Sequence, residues 1–407
     1  MVELPAIEFR KVDVIFGEGP KRALALLDAG HDREAIQAQT GNVVGVADAS
    51  LAVQNGQICV LMGLSGSGKS TLLRSVNGLN AVTRGEVLVT HDGRQVDVAS
   101  CDRRTLRHLR SHRIAMVFQQ FALLPWRSVR ENVGLGLELR GATRAERQKV
   151  VEEKLALVGL EDWSDKAVHE LSGGMQQRVG LARAFATDAD ILLMDEPFSA
   201  LDPLIRSKLQ DELLGLQQSL QKTILFVSHD LDEALKLGNQ IAIMEGGHIV
   251  QQGDAEEIVL NPASDYVAEF VAHMNPLQVL RGHSLMTPAQ EMRRHDGSLL
   301  LDDEGLLRLE LDGQGRPRKL LVEDRNARLI TWRPHMDRRE VAGADLVLAA
   351  SDLTLRDAIR LRHASGRPVA LTDAEGRFVG ICGDDEIYRG LLRRSEQAKR
   401  QRDSARR

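Results

Sequence analysis

The sequence predicts an α/β protein: a large domain with a mainly parallel, doubly wound sheet and a helical subdomain, followed by a smaller α+β domain. Three observations carry this. Short apolar runs at residues 58–62, 114–118, 191–194 and 223–227 have the length and composition of buried strands. Helical periodicity separates them, most plainly within residues 144–155, and strands alternating with helices imply parallel pairing. From about Arg281 the pattern changes to short strands and two brief helices.

The first element is residues 8–16, which alternate apolar and charged side chains like an edge strand. Its last residue, Phe16, suits a platform for a purine ring and equally suits an ordinary core position. Residues 20–41 then interrupt the domain. Residues 23–27 and 33–39 read as short helices, His31-Asp32 as a cap and Gly41 as a stop. Two short helices about a glycine turn can be a DNA-binding motif, but the segment has little excess positive charge. The plainer reading is an inserted helical hairpin. Alternation resumes over residues 44–53 and leads to the strand at 58–62.

Directly after that strand stands Gly63-Leu64-Ser65-Gly66-Ser67-Gly68-Lys69-Ser70-Thr71, which fits the phosphate-binding P-loop pattern, with a helix opening behind it. The glycines lack a Cβ, so backbone N–H groups can close on phosphate oxygens. The helix N-terminus adds a favourable field for anions. Lys69 is a mobile charge for the β- and γ-phosphates, and the Ser70 hydroxyl suits Mg²⁺. A chance glycine-rich turn would not combine strand, loop, lysine, hydroxyl and helix.

The strand at 114–118 ends on Gln119, a neutral group able to reach Mg²⁺ or a water. Phe121 to Trp126 follows, closed by Pro125; Trp126 suits either a docking surface or a core. Leu171-Ser172-Gly173-Gly174-Met175-Gln176 is a polar glycine turn opening a helix through Ala186, a second anion-reading N-terminus. The strand at 191–194 delivers Asp195-Glu196. Asp195 is placed to hold Mg²⁺, commonly through water, and Glu196 to orient and polarise an attacking water. The strand at 223–227 delivers Ser228-His229-Asp230, and His229 beside a γ-phosphate could stabilise developing charge. Each of these residues alone is more often a solvated surface group; their joint arrival at strand ends, where such sheets bind ligands, favours a site. Residues 241–244 and 248–250, around Gly246-Gly247, read as a closing hairpin.

Composition narrows the classes. With 407 residues, a net charge of −5 and 3% aromatics, the chain lacks the basic, aromatic face that nucleic acid favours. Cys59, Cys101 and Cys382 are too few and too scattered for a disulfide framework or a zinc site. No apolar run approaches the roughly 20 residues that span a bilayer. The N-terminus has no signal-peptide core, so a cytosolic chain is expected, with any membrane spans supplied by another subunit.

In order, the P-loop, Gln119, residues 171–176, residues 191–196, Ser199-Ala200-Leu201-Asp202 and His229 resemble the motif set of ABC-type ATPases. The resemblance implies ATP and Mg²⁺ as ligands. It implies a head-to-tail dimer in which each ATP lies between one copy's P-loop and the other's Ser172, Gly173, Gly174 and Met175, with Asp202 linking the two sites. It makes Phe16 similar in place to the family's adenine-stacking aromatic. It sets Gln119 and the residues after it against an integral-membrane permease, with an extracytoplasmic substrate-binding protein engaged indirectly, and the chain at the cytoplasmic face of the plasma membrane. A soluble ABC ATPase of DNA repair would need a long heptad insertion before Ser172, and a ribosome-associated one a second P-loop; neither is present.

A finer likeness covers nearly the whole chain. The insert with Ala35-Ile36-Gln37-Ala38-Gln39-Thr40-Gly41, the run Phe118-Gln119-Gln120-Phe121-Ala122-Leu123-Leu124-Pro125-Trp126, and residues 195–206 are similar to ATPases of importers for glycine betaine, proline betaine and choline. Residues 258–280, including Ala272-His273-Met274-Asn275-Pro276-Leu277, look closest to the choline branch.

This places an ABC-type domain at 1–280, with its insert at 20–41 and helical subdomain at about 122–186, and a second domain at 281–392. There, strands near 346–349, 368–371 and 378–381 and helices near 355–359 and 385–392 resemble one CBS repeat, with a degenerate copy upstream at 285–323. The ligand-reading hydroxyl and aspartate of such repeats fall on Gly383 and Glu386, a departure that favours a packing or dimerisation module over a nucleotide sensor. Residues 393–407 carry seven basic and two acidic side chains. They suit a solvated tail or attraction to anionic lipid.

Overall fold

The computed structural model describes residues 4–391 apart from 273, 274, 303 and 335. The basic tail at 393–407, and His273 and Met274 of the stretch nearest the choline branch, lie outside the described residues. The chain divides into two compact units, Met1–Ile258 and Val259–Arg407.

In the first unit, β1 (Ile7–Phe16) and β2 (Val43–Val53) pair antiparallel, from Ile7 opposite Val53 to Phe16 opposite Val43. Between them lies the insert, α1 (Pro20–Asp28) and α2 (Arg33–Thr40). Asp32 caps α2 by accepting from the Ala35 N–H at 2.7 Å, and Gly41 ends it at a φ of 72°. Ala23 and Ile36 are buried against Ile15, Val44 and Ala47. The hairpin's apolar face is thus spent on the sheet it interrupts. The far end of α1 is tied down as well: Arg84 donates to both Asp28 oxygens at 2.8 and 2.9 Å and to Asp13 at 2.6 Å.

After β3 (Ile58–Met62) and α3 (Lys69–Ser75), the chain forms a hairpin of β4 (Arg84–His91) and β5 (Arg94–Asp97). β6 (Ile114–Val117), β7 (Ile191–Asp195) and β8 (Thr223–Val227) follow, then the closing hairpin of β9 (Gln240–Glu245) and β10 (His248–Gly253). Two sheets result. One is antiparallel, in the order β2-β1-β4-β5; the other has the order β10-β9-β3-β8-β7-β6. In the second, β6, β7, β8, β3 and β9 run parallel and only β10 is reversed. The sequence predicts the parallel sheet but not the separate antiparallel one, which the β4–β5 hairpin extends. Phe9, Leu51, Leu61, Leu72, Leu73, Leu193 and Leu225 belong to one core that joins both sheets to α3. Cys59 belongs to it too, and burial pushes its thiol up to about 12, in keeping with a core residue.

The helical subdomain is broken where glycine breaks it. Helices span Val129–Val133, Leu135–Leu139 and Arg144–Leu157. The helix Gly173–Ala186 follows as expected. Ser128 with Glu131, and Thr143 with Glu146, form capping boxes that satisfy otherwise unpaired N–H groups.

In the second unit, strands Leu329–Thr331, Leu346–Ala350 and Val369–Thr372 are parallel neighbours, and Phe378–Cys382 returns antiparallel. Helix Leu355–Ser365 joins the second of these to the third. The element order at 346–391 is therefore the one expected. The region upstream differs. The described residues of 294–326 form five antiparallel strands in simple succession, with no helix among them. The boundary also moves, from the expected 280 to 258, because Val259, Leu260, Leu277 and Leu280 pack in the second unit's core with Leu285, Val347 and Leu355.

Candidate functional site

The P-loop's backbone is fixed by neighbours that leave no room for side chains. Gly63 and Gly68 have φ of 137° and 103°, and a Cβ would lie 2.1 Å from the Met244 carbonyl oxygen or 2.4 Å from that of Gly45. Only glycine fits either place. Lys69, 7% exposed, donates from Nζ to the Gly63 and Leu64 carbonyls at 2.8 and 2.9 Å. Burial pulls its ammonium below its ordinary value, opposed by the nearby Glu196 and Asp195 carboxylates. Leu64, Ser65 and Gly66 are exposed, Ser67 is buried, and Thr71 is half-buried beside Gly45. Phe16, 43% exposed, touches Gly45 from the end of β1, so its ring stands next to Thr71 at the mouth of the loop. That exposure speaks against a core position for it.

Asp195, fully buried at the end of β7, accepts from Ser70 Oγ at 2.7 Å through Oδ1. Its Oδ2 takes Arg74 Nη2 and Nε at 2.8 and 3.1 Å. Sequence reasoning missed Arg74, although it stands four residues after Ser70, on the same face of α3. The arginine holds one carboxylate oxygen and leaves the other toward Ser70. Serine hydroxyl, carboxylate and the Gln119 amide oxygen are hard donors of the kind that could hold Mg²⁺. No group of three or more His, Cys, Asp or Glu suited to a metal occurs among the described residues.

Glu196 is the strained member. Its φ is 47°, a left-handed conformation rare outside glycine. Its N–H donates to the Val227 carbonyl at 3.1 Å, tying the end of β7 to that of β8. Gln119 Nε2 donates to its Oε2 at 3.0 Å, and His229 Nδ1 lies 3.4 Å from the same oxygen. Two polar residues, from two other strand ends, therefore converge on the Glu196 carboxylate. His229 itself is exposed; its turn is held from behind. There Ser228 donates to the buried Glu233 at 2.7 Å and Gln210 donates to it at 3.3 Å. Burial raises the Glu233 carboxyl, countered by the Ser228 bond.

Ser172, Gly173, Gly174 and Met175 stand apart from this network. Ser172 accepts from the Met175 N–H at 3.4 Å and so caps its own helix. Gly174 lies against the Ala200 carbonyl, where a Cβ would be 3.1 Å away. Asp202 caps the helix Pro203–Leu220 by accepting from Ile205. Gln177, also missed from the sequence, is buried and joins the two regions: it donates to the Glu196 carbonyl at 3.1 Å and accepts from Ala200 N–H at 3.0 Å. Trp126 is 77% exposed, so the core alternative for it is wrong. In the second unit, Glu386 is buried and accepts from Gly383 N–H at 2.8 Å and Thr287 Oγ at 2.6 Å, while pairing with Arg389. Its carboxylate is engaged within the fold rather than presented to a ligand.

A family model described as "ABC transporter" matches residues 46–199. The ATP-binding protein ProV of the Escherichia coli glycine betaine/proline betaine transport system is 42% identical over 398 residues, 95% of this chain and 98% of that one. The chain belongs to the ATP-binding subunits of ABC transport systems. The Bacillus subtilis glycine betaine transport ATP-binding protein OpuAA is 49% identical, covering 95% of this chain and 91% of its own. The trimethylamine N-oxide transport ATP-binding protein TmoW of Ruegeria pomeroyi is 47% identical over 68% of this chain and 80% of its own. Among solved structures, a dimeric bacterial ABC transporter cassette superposes with a TM-score of 0.53 at 29% identity, covering 61% of this chain and 98% of the other. The same cassette is also known as a post-hydrolysis dimer bound to ADP and Pi, with a TM-score of 0.52. This ABC subunit is an ATPase and works with ATP and Mg²⁺. Among its described residues no helix is long and apolar enough to cross a membrane.

Proposed function

We propose that this ABC ATPase powers the uptake of a quaternary amine, with choline the favoured substrate and glycine betaine or proline betaine the alternatives. The observation that carries the class is likeness along nearly the whole chain, second unit included, to the E. coli and B. subtilis betaine transport proteins. The preference for choline rests on the resemblance of residues 258–280, since no residue of this subunit need touch the cargo.

In this reading Gly63 to Thr71 cradle the triphosphate, with Lys69 on the β- and γ-phosphates and Phe16 against the adenine. Ser70, Asp195 and Gln119 would hold Mg²⁺, which when bound neutralises phosphate charge. Glu196 accepts a hydrogen bond from the attacking water and aligns it with the γ-phosphorus. The close contacts of Gln119 and His229 with its carboxylate support this assignment. His229 stabilises charge on the departing phosphoryl oxygens. Ser172, Gly173, Gly174 and Met175 complete the other copy's site in a head-to-tail dimer, and Asp202 links the two sites. Ser172 being exposed and outside its own chain's network favours that use.

ATP closes the dimer and hydrolysis reopens it. The motion reaches an integral-membrane permease through Gln119 to Trp126. Trp126 borders a groove with Arg127, Arg130, Glu138, Arg144 and Arg147, whose mixed charges suit a short polar helix. An extracytoplasmic binding protein would deliver the cargo, and the chain would sit at the cytoplasmic face of the membrane, aided by lipid attraction of residues 393–407. The second unit would be a CBS-like regulatory or dimerisation module.

Uptake decides the cargo. Cells carrying Lys69→Ala in this subunit should lose accumulation of labelled choline at least tenfold while keeping that of unrelated solutes. Loss confined to glycine betaine or proline betaine would replace choline, and undiminished uptake of all three would overturn the class.

A further inference from the structure

The insert has so far no part in the chemistry, yet one of its side chains reaches the site. Arg33, the first residue of α2, donates from Nη1 to the Gly66 carbonyl at 3.0 Å. Gly66 is the middle glycine of the P-loop, in a left-handed conformation at φ 77° with nothing packed where a side chain would be. No other side chain of the insert makes a hydrogen bond to the loop among those described.

Several observations set this contact apart from a chance surface bond. Arg33 is half-buried, and among the described residues no carboxylate lies within ion-pair distance of it. Burial alone pulls its guanidinium below the ordinary value, with no acidic neighbour offsetting it. A half-buried arginine facing only a carbonyl bears a desolvation cost that an exposed rotamer would avoid. Its backbone is also anchored. Ile36, one turn along α2, is fully buried, and the preceding helix is clamped through Asp28 to Arg84 and Asp13. The guanidinium is therefore carried on a rigid arm.

We propose that Arg33 is a positioning residue for nucleotide binding: the insert grips the P-loop through the Gly66 carbonyl and holds it in a phosphate-ready shape. The inference rests on reading Gly63 to Thr71 as the ATP site. A carbonyl fixed by a charged donor cannot turn inward, where it would oppose a phosphate. The adjoining Gly66 and Ser67 peptides are thereby spared a rearrangement on binding. Binding energy that would otherwise order the loop then appears as affinity. The grip acts on the loop before and after phosphate transfer alike, so it bears on affinity and little on the chemical step.

The test compares Arg33→Ala, Arg33→Lys and Lys69→Ala in the full chain, by titration with a fluorescent ATP analogue, steady-state hydrolysis, and unfolding without nucleotide. A hydrogen bond from a charged donor is stronger than one from a neutral donor, most of all when buried. For a half-exposed one, a rise of roughly three- to tenfold in Kd and KM is expected for Arg33→Ala, with kcat within twofold and unfolding without nucleotide unchanged. Arg33→Lys, which keeps a charged donor on a slightly shorter stem, should recover most of the affinity. If Arg33→Ala leaves Kd unchanged while Lys69→Ala abolishes binding, the inference is wrong and the ATP site stands. If unfolding temperature falls but the folded protein binds normally, Arg33 is only structural and the inference again fails. Should Lys69→Ala bind normally, the underlying site assignment is what has failed.

Discussion

At the residue scale, the site is organised by how Glu196 is held. A left-handed φ at a non-glycine residue costs about 1–3 kcal/mol and persists only where surroundings enforce it. Here the enforcement is visible: the N–H is fixed to Val227, the carbonyl to Gln177, and the carboxylate lies between Gln119 and His229. Replacing the carboxylate with an amide keeps the shape and removes the charged acceptor proposed above to polarise water. Glu196→Gln should bind ATP within twofold of the parent, lose at least 100-fold in turnover, and accumulate as an ATP-bound dimer by gel filtration. Hydrolysis near the parent rate would move the water-polarising role to another residue. Most of this site was legible beforehand because its residues follow apolar runs and their chemistry is intrinsic. Arg74, Gln177 and Arg33 were not, since each acts through a partner far away in sequence.

At the element scale, the turn bearing His229 is braced by a buried carboxyl. Glu233 sits under Ser228 and meets Gln210 of the helix that Asp202 caps. Its folded-state value is raised above the usual 4.5 by burial. The sign follows from linkage: the group's stabilising contribution is complete below 4.5, where it is protonated in both states. It is lost as pH rises through the higher folded value. Glu233→Gln stays neutral throughout. Its stability relative to the parent should therefore climb as pH increases across that interval, measured by urea unfolding at stepped pH. A pH-independent difference would show that the carboxyl titrates alike in both states.

The elements themselves were read unevenly. Strands of the parallel sheet were plain because both faces are buried and the runs are continuously apolar. The β4–β5 hairpin was not read, although Asp92-Gly93, at φ 49° and 71°, is a strong two-residue turn signal.

At the scale of the whole molecule, the informative error was the boundary. Composition changes near Arg281, but Val259, Leu260, Leu277 and Leu280 precede that change and belong to the second core. Local sequence cannot say which of two cores an apolar residue will join; only long-range packing can. A chain ending at residue 258 should unfold cooperatively and bind little of a hydrophobic dye. One ending at residue 280 should expose those four side chains, bind several-fold more dye and self-associate in gel filtration. Equal behaviour of the two would place the boundary elsewhere. The antiparallel strands at 294–326 were opaque for another reason: they are short, two to six residues each, and their turns carry most of the pattern.

The base of the insert has a consequence for how such a chain can vary. Phe16 and Val43 are paired across β1 and β2, so the hairpin leaves and rejoins the sheet at hydrogen-bonded neighbours. Lengthening a loop closed in this way costs only about 0.6 kcal/mol per doubling. The sheet's register, and with it the strand ends that carry Asp195, Glu196 and His229, is insulated from changes of length between those two positions. The hairpin is in effect a socketed part. It can be exchanged, extended or re-charged to retune nucleotide affinity while the hydrolytic machinery goes on unaltered beneath it.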